Sequence, residues 1–334
     1  MYLDQSTLSW LIEGEAAELR KVLERGVRSG VLVCPSSPDH ADESVLASRS
    51  YELLHNLADE LSMGIHFRWD FEIEYNEMIH AAAAFAGAGP NEPEWGEAFE
   101  TDPHTPRERL YPGGFRVSLK AQRLDWQVSE VEQERDDVEA LTAIYETVRQ
   151  SGRTFDEQAE MEFADVVKWK LGPIVASNWF RAKMAEWTLG AVKALESPDN
   201  VTAPGSLFNM YSAGQKTAGF CNYLVRRFPL LTARASEFAT SEELRACPSL
   251  ALPALMFAGI AATPRRKAKP GDRYDRSHLM KGLSRCDIVT ADSGMVQICR
   301  ERKLVPAGVS LYSSAEHSAL HEHLERLLTA YGSL

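Results

Sequence analysis

The chain reads as an α/β protein whose parallel sheet is interrupted by a mostly helical insertion. Three features predict this. Short apolar runs alternate with stretches of helical period in the first sixty or so residues, and that alternation opens a βα fold. The same alternation returns near the C-terminal end. Between the two lies a long block with helical periodicity and few strand signals. Residues 1–60 together with 246–334 are therefore expected to form one α/β core, with 61–245 as the helical insertion.

Met1-Tyr-Leu-Asp4 is a short apolar run that reads as a buried strand. Leu8, Leu11, Ile12, Leu19, Val22 and Leu23 follow at helical spacing and predict a helix to about Arg28. Gly30-Val-Leu-Val-Cys34 reads as a second strand. Pro35-Ser-Ser-Pro38 turns the chain, and Asp39 is placed to cap a helix that begins near His40 and carries Glu43 in its first turn. Ile65–Trp69 predicts another short strand and Asp70–Ala86 a helix. The Gly-, Pro- and acid-rich residues 88–113 predict a long loop. Leu124–Arg149, Phe155–Lys170, Pro173–Leu195 and Gly205–Phe228 carry helical periodicity. Trp169, Trp179, Phe180 and Trp187 fall among them at core spacing. Pro248–Ala262 is an apolar helix. After it come a basic run, a short helix through His278, Leu279 and Leu283, and a strand Ile288–Ala291. Ser293–Arg302 reads as a helix, Val305–Tyr312 as a last strand and Glu316–Tyr331 as a closing helix.

Composition narrows the function classes. At 334 residues, 44% hydrophobic and 25% charged, the chain can bury a sizeable core. No run reaches the roughly 18 apolar residues of a membrane span, and no basic-then-apolar leader is visible at the start. Five scattered cysteines without a CxxC pair point away from a zinc knuckle or a disulfide framework and toward a reducing cytoplasm. A net charge of −12 argues against a duplex-coating protein, but a site built from metal-binding acids is itself negative.

Four acids stand at corresponding places in the predicted βα units: Asp4 at the end of the first strand, Glu43 in the helix after the second, Asp275 at the opening of the late helix, and Asp292 at the end of the strand after it. Ligands of open parallel sheets sit beyond the carboxyl ends of the strands, so all four can reach one edge. Carboxylates brought together repel unless a cation lies between them. Oxygen ligands without His or Cys suit Mg²⁺ or Mn²⁺. Such ions activate water for in-line attack on phosphate. Read singly, Asp4 and Asp292 are ordinary helix caps, and Glu43 and Asp275 ordinary partners of a helix dipole. Asp272 reads as a turn residue, Asp287 lies at the far end of its strand, and His40 and His278 read as surface or capping groups. Arg265, Arg266, Lys267 and Lys269, just before the acidic stretch, are candidates to hold phosphate. His317 and His321 lack the central Glu of a zinc-binding HExxH.

Asp4, the segment CPSSPDHADE ending on Glu43, and DRYDRSHLMKGLSRCDIVTAD ending on Asp292 resemble the PIN-like nuclease superfamily. The resemblance implies a three-layer α/β/α sandwich with a central parallel sheet, and an acidic pocket that binds Mg²⁺ or Mn²⁺ and cuts RNA, or flap DNA in relatives. It assigns metal binding and catalysis to Asp4, Glu43, Asp275 and Asp292, and matches Thr290 to the hydroxyl residue beside the last acid. The expected function is a metal-dependent nuclease acting on RNA rather than DNA through a metal-activated water. The alternatives are an inactive RNA- or protein-binding scaffold and a small-molecule phosphohydrolase. The expected setting is cytoplasmic without a membrane, and the reading leaves room for a protein inhibitor and for a homodimer.

Overall fold

The computed structural model describes residues 1–14, 16–46, 51–88, 95–104, 138–196, 203–269 and 271–331. The chain divides into two compact units. One contains Met1–Ile73, Glu92–Ala159 and Leu255–Leu334; the other contains Glu74–Asn91 and Glu160–Ala254.

The central-sheet sandwich expected from the sequence is not what forms. Among the described residues the only strands are β1 (Ile288–Ala291) and β2 (Ser310–Ser313), paired in parallel with Val289 opposite Leu311. Of the segments expected as strands, 1–4 and 65–69 contribute only isolated bridges, Tyr2 to Val289, His66 to Ser36, and Phe67 to Phe99, and 30–34 contributes none, because Gly30 turns the chain and the amides of Val31 and Leu32 bond back to the Gly26 carbonyl. Each pairing ends early for a local reason. Tyr2 exchanges two backbone bonds with β1, from its amide to the Ile288 carbonyl at 2.7 Å and from the Thr290 amide to its own carbonyl at 2.9 Å. Two residues on, the Asp4 amide leaves the ladder for the Thr290 hydroxyl at 2.9 Å, and a helix begins at Gln5. In the second segment Pro35 has no amide to donate. Ser36 is left with one bond to Ile65 and one from Phe67.

Helices carry the rest of the first unit. The helix expected to run unbroken to Arg28 is two, Gln5–Glu13 and Ala17–Arg28, because Gly14 ends the first at φ 82°, a left-handed conformation that glycine adopts without strain. Pro38–Leu46 starts on a proline, which suits a first helical position. Asp39 lies inside its first turn rather than before it. Tyr51–Ser62 follows. Leu8, Leu11, Leu19, Leu23, Leu54, Leu57 and Leu61 from these helices pack with Ile288, Leu320 and Leu324 into one apolar core. The helix Asp272–Arg285 lies against β1 at Gly282, where an added Cβ would stand 2.7 Å from the Val289 side chain. Only glycine permits that approach. The last predicted strand shortens to β2, and the closing helix runs His317–Tyr331.

The second unit is helical. Its core gathers Met78, Phe163, Leu171, Phe220, Leu224, Leu231 and Phe238. The buried Glu77 carboxylate accepts both the amide and the hydroxyl of Ser249, at 2.9 and 2.6 Å, which caps the start of the helix Pro248–Ala262. Trp169 packs edge-on against Trp187, with centroids 5.0 Å apart, and lies tilted against Phe180 at 5.5 Å; of the four aromatics expected in the core only Phe180 is buried, and the three tryptophans are partly exposed. The parts of the predicted loop 88–113 and helix 124–149 that fall at 89–94 and 105–137 lie outside the described residues.

Candidate functional site

Asp275 is where the four predicted acids meet electrostatically. It stands half-buried in the first turn of Asp272–Arg285. Its carboxyl is pushed up to about 7, first by burial, then by the negative charge of Glu43, with Asp292 and Asp4 adding to the rise and His278 opposing it. Three acids from separated stretches of chain thus act on one carboxyl. They are not drawn into a tight ligand shell: among the described residues no group of three or more His, Cys, Asp or Glu side chains is placed to hold a metal ion. Coulomb effects reach several ångströms, whereas ligation needs oxygens within about 2.0–2.6 Å of the ion, so the two observations are compatible.

The other three acids are held differently. Asp4 is buried and caps Gln5–Glu13. One of its oxygens accepts the Thr7 amide at 3.2 Å, the Thr7 hydroxyl at 2.6 Å and the Thr290 hydroxyl at 2.8 Å; the other accepts the Ser6 hydroxyl. Thr290 therefore fixes Asp4 from β1. Asp292 caps Ser293–Glu301 through the Gly294 amide at 2.8 Å and has the Lys269 ammonium at 3.5 Å. Both strand-ending acids are thus caps as well as members of the acidic face. Glu43, on Pro38–Leu46, faces the His278 imidazole at 3.0 Å.

The basic run divides. Arg265 and Lys267 are exposed. Arg266, expected to hold substrate, turns inward and donates to Asp272 at 2.5 Å. Asp272 is fully buried and also accepts the Lys269 amide at 3.0 Å. Its role is to anchor this loop, not to ligate. Arg149 donates to the Arg266 carbonyl at 2.9 Å, and the Thr142 hydroxyl accepts the Ala268 amide at 3.1 Å.

Sequence reasoning missed a second polar cluster on the same helix. Lys281 is buried between the carboxylates of Asp39 and Asp70, with which it forms ion pairs, and its ammonium donates to the Ser277 hydroxyl at 3.1 Å. Ser277 in turn donates to Asp70 at 2.7 Å and to Asp39 at 2.8 Å, one proton shared between two acceptors. Burial alone would raise Asp39, but the charges of Lys281 and His278 hold it well below the usual carboxylate range. Burial likewise opposes the Lys281 charge, and Asp39 and Asp70 overcome it, so the ammonium is more basic than usual.

His40 and His278 are core groups rather than surface ones. His40 accepts the Ser37 amide at 3.0 Å on Nδ1 and donates from Nε2 to the Leu3 carbonyl at 2.7 Å, which is the neutral ring; burial, then the charge of His278, bring it down to about 3. The spacing of Ser277 and Lys281, four apart on one helical face, was the legible signal for the second cluster. Nothing local marked Asp70 as their partner.

A cavity of about 880 Å³ lies at the starts of the extended segments, lined by Met1, Val33, Asp287, Ser310, Arg285 and His323 among others, and none of the four acids reaches it. Set against known proteins, the chain matches no family model, no curated protein and no solved structure. The resemblance to PIN-like nucleases therefore rests on the spacing of the acids alone.

Proposed function

We propose that the acidic face of Asp4, Glu43, Asp275 and Asp292 binds a divalent cation, Mg²⁺ or Mn²⁺, and hydrolyses phosphodiester bonds, with RNA as the substrate. The observation that carries this reading is the carboxyl of Asp275. Three other acids act on it, no cation among the described residues pairs with it, and it keeps a proton up to about pH 7. A divalent ion relieves that repulsion, and the donors are all oxygen, which suits a hard cation. When bound, the ion would supply charge neutralisation and an activated water for in-line attack on phosphorus. The chain's own part is to hold the carboxylates: Thr290 and Thr7 fix Asp4, the Gly294 amide fixes Asp292, and His278 fixes Glu43. Arg265, Lys267 and Lys269, exposed just before Asp275 in the chain, supply charge for the phosphate backbone. A cytoplasmic setting belongs to the same reading and is supported by five buried free thiols. Among the described residues no helix is long and apolar enough to cross a membrane.

The test is a Mn²⁺ titration followed by thermal unfolding, then a cleavage panel of single-stranded RNA, flap DNA and nitrophenyl phosphates. Binding to the folded state raises the melting temperature by mass action, and Asp292→Asn removes the rise. Cleavage of the small esters alone would replace the nuclease with a phosphohydrolase. The lack of a tight ligand group favours one other reading, an inactive scaffold that binds RNA. In that case Mn²⁺ leaves the melting temperature unchanged, and RNA is retained uncut.

A further inference from the structure

The cavity at the starts of β1 and β2 lies wholly within the first unit, and its volume of about 880 Å³ falls among sites that enclose a small organic molecule, about 300–1,000 Å³. It is separate from the acidic face: from Ile288 in its wall to Asp292 is four residues of extended chain, roughly 13 Å. Two kinds of surface line it. Leu32, Pro35, Phe99, Cys286 and Ile288 are buried and give an apolar floor. Arg28, His104, Asp287 and Tyr331 are exposed and form a polar rim. Gly30 and Gly308, at φ 75° and 89°, also line it, and an added Cβ on either would meet nothing within 4 Å, so the wall there is bare backbone facing open space.

The charge of this wall runs against that of the chain. The protein carries −12 overall, yet the lining holds two guanidinium groups, Arg28 and Arg285, against one carboxylate, Asp287. Arg285 is firmly set. Its side chain is only 11% exposed, and it donates at 2.7 Å to the Glu97 carboxylate, which is not part of the wall. A guanidinium has five N–H donors, so one held by a carboxylate on one side still serves an anion on another. Arg28 bonds Glu24 at 3.0 Å and is 73% exposed, so it can swing over the mouth. His323 adds a donor. The Tyr312 hydroxyl lies 2.8 Å from its Nδ1, and burial, then the charge of Arg326, keep the ring below its usual value. With Nδ1 accepting the Tyr312 proton, Nε2 retains its hydrogen. An apolar floor beneath charges of one sign concentrates their field.

We infer that this cavity binds a small organic anion, its apolar body on the floor of Phe99 and Ile288 and its carboxylate or phosphate against Arg285, Arg28 and His323. The planar guanidinium fork matches both head groups.

The experiment titrates the full chain with anilinonaphthalene sulfonate, an aromatic anion that fluoresces on leaving water, and with phenylnaphthylamine, the same skeleton without the charge. One sulfonate is expected per chain, bound at least about tenfold more tightly than the uncharged dye. Arg285→Gln should weaken the sulfonate about tenfold and the exposed Arg28→Gln about threefold, neither altering the uncharged dye. Leu327→Trp, which narrows the cavity, should weaken both dyes. Equal affinity for the two dyes, or a sulfonate affinity that no variant changes, overturns the inference. If Arg285→Gln does not fold, Arg28→Gln and a fall in sulfonate affinity with rising salt decide the matter. Competition identifies the head group: displacement by AMP points to a phosphate ester, displacement by decanoate to a carboxylate, and displacement by neither overturns the inference.

Discussion

The helix Asp272–Arg285 serves two carboxylate groups, and they are treated in opposite ways. Toward Lys281, two acids from distant parts of the chain close on one buried ammonium, and the charge is largely settled inside the protein. Around Asp275 four acids bear on one another, opposed there by the His278 ring and at Asp292 by the Lys269 ammonium at 3.5 Å, and Asp275 keeps its proton near neutrality. The first arrangement is a complete internal salt bridge that joins three chain segments. In the second, Asp4 and Asp292 are taken up as helix caps and the repulsion falls on Asp275. The contrast separates acids that share one buried cation from acids whose charges bear on one another.

The largest effect should come from breaking the complete side. Lys281→Met leaves the largely buried Asp39 without its cation, while Asp70, 41% exposed, can turn to solvent; a buried uncompensated charge of this kind costs about 3 kcal/mol, read as a fall in the urea midpoint. Around Asp275 the sign reverses. Asp275→Asn removes repulsion and should stabilise the metal-free protein at pH 8 by about 0.5–2 kcal/mol, while abolishing the Mn²⁺ response. A destabilised Asp275→Asn would show that the acids there are structural after all.

Dependence on pH sharpens the comparison further. Asp275 has a folded value of about 7 against 3.8 unfolded, so its contribution is complete below about pH 4 and is lost as the pH rises through 7. His40 runs the other way. Its folded value is about 3 against 6.5, so its contribution is complete above about pH 6.5 and is lost as the pH falls toward 3. Over about pH 4 to 6.5 the two contributions have opposite slopes and largely offset each other, and above about pH 7 neither changes, so on their account melting temperatures should vary little from pH 4 to 9. Asp275→Asn should uncover the rise due to His40 between about pH 4 and 6.5, and Mn²⁺ should lift mainly the alkaline side. The smallest effect sets the scale for ordinary pairs. Arg300→Ala breaks a half-exposed bridge to Glu316 and should cost no more than about 1 kcal/mol in the same urea assay.

The sequence made the helices and the acids legible, but not the sheet. Periodic apolar residues such as Leu8, Leu11, Leu54 and Leu57 locate a buried helix face whatever the rest of the chain does. Short aliphatic runs locate buried extended backbone equally well, and Tyr2, Leu32 and Phe67 are indeed buried. Whether such a run becomes a strand depends on how many consecutive backbone groups find partners. Here the Asp4 amide is diverted to a hydroxyl and Pro35 offers none, details that an apolar pattern does not carry. Asp4 and Asp292 were legible because each caps a helix and Asp275 because it lies in a first turn, whereas Glu43, expected in a first turn, lies past it, since its helix starts at Pro38. Lys281 was not legible, since a lone lysine in a helix is normally solvated and its two partners lie more than two hundred residues away in sequence. Arg266 misled for the same reason: a basic run announces charge but not which of its members turns inward.

Gly282 sets the clearance between that helix and β1. A single methyl there would strike Val289 and drive the helix outward, carrying Asp275, His278 and Lys281 with it as one rigid row. The placement of the acidic face and the integrity of the core are thus geared to the same hydrogen atom, and that face can be shifted from behind without altering any of its own side chains.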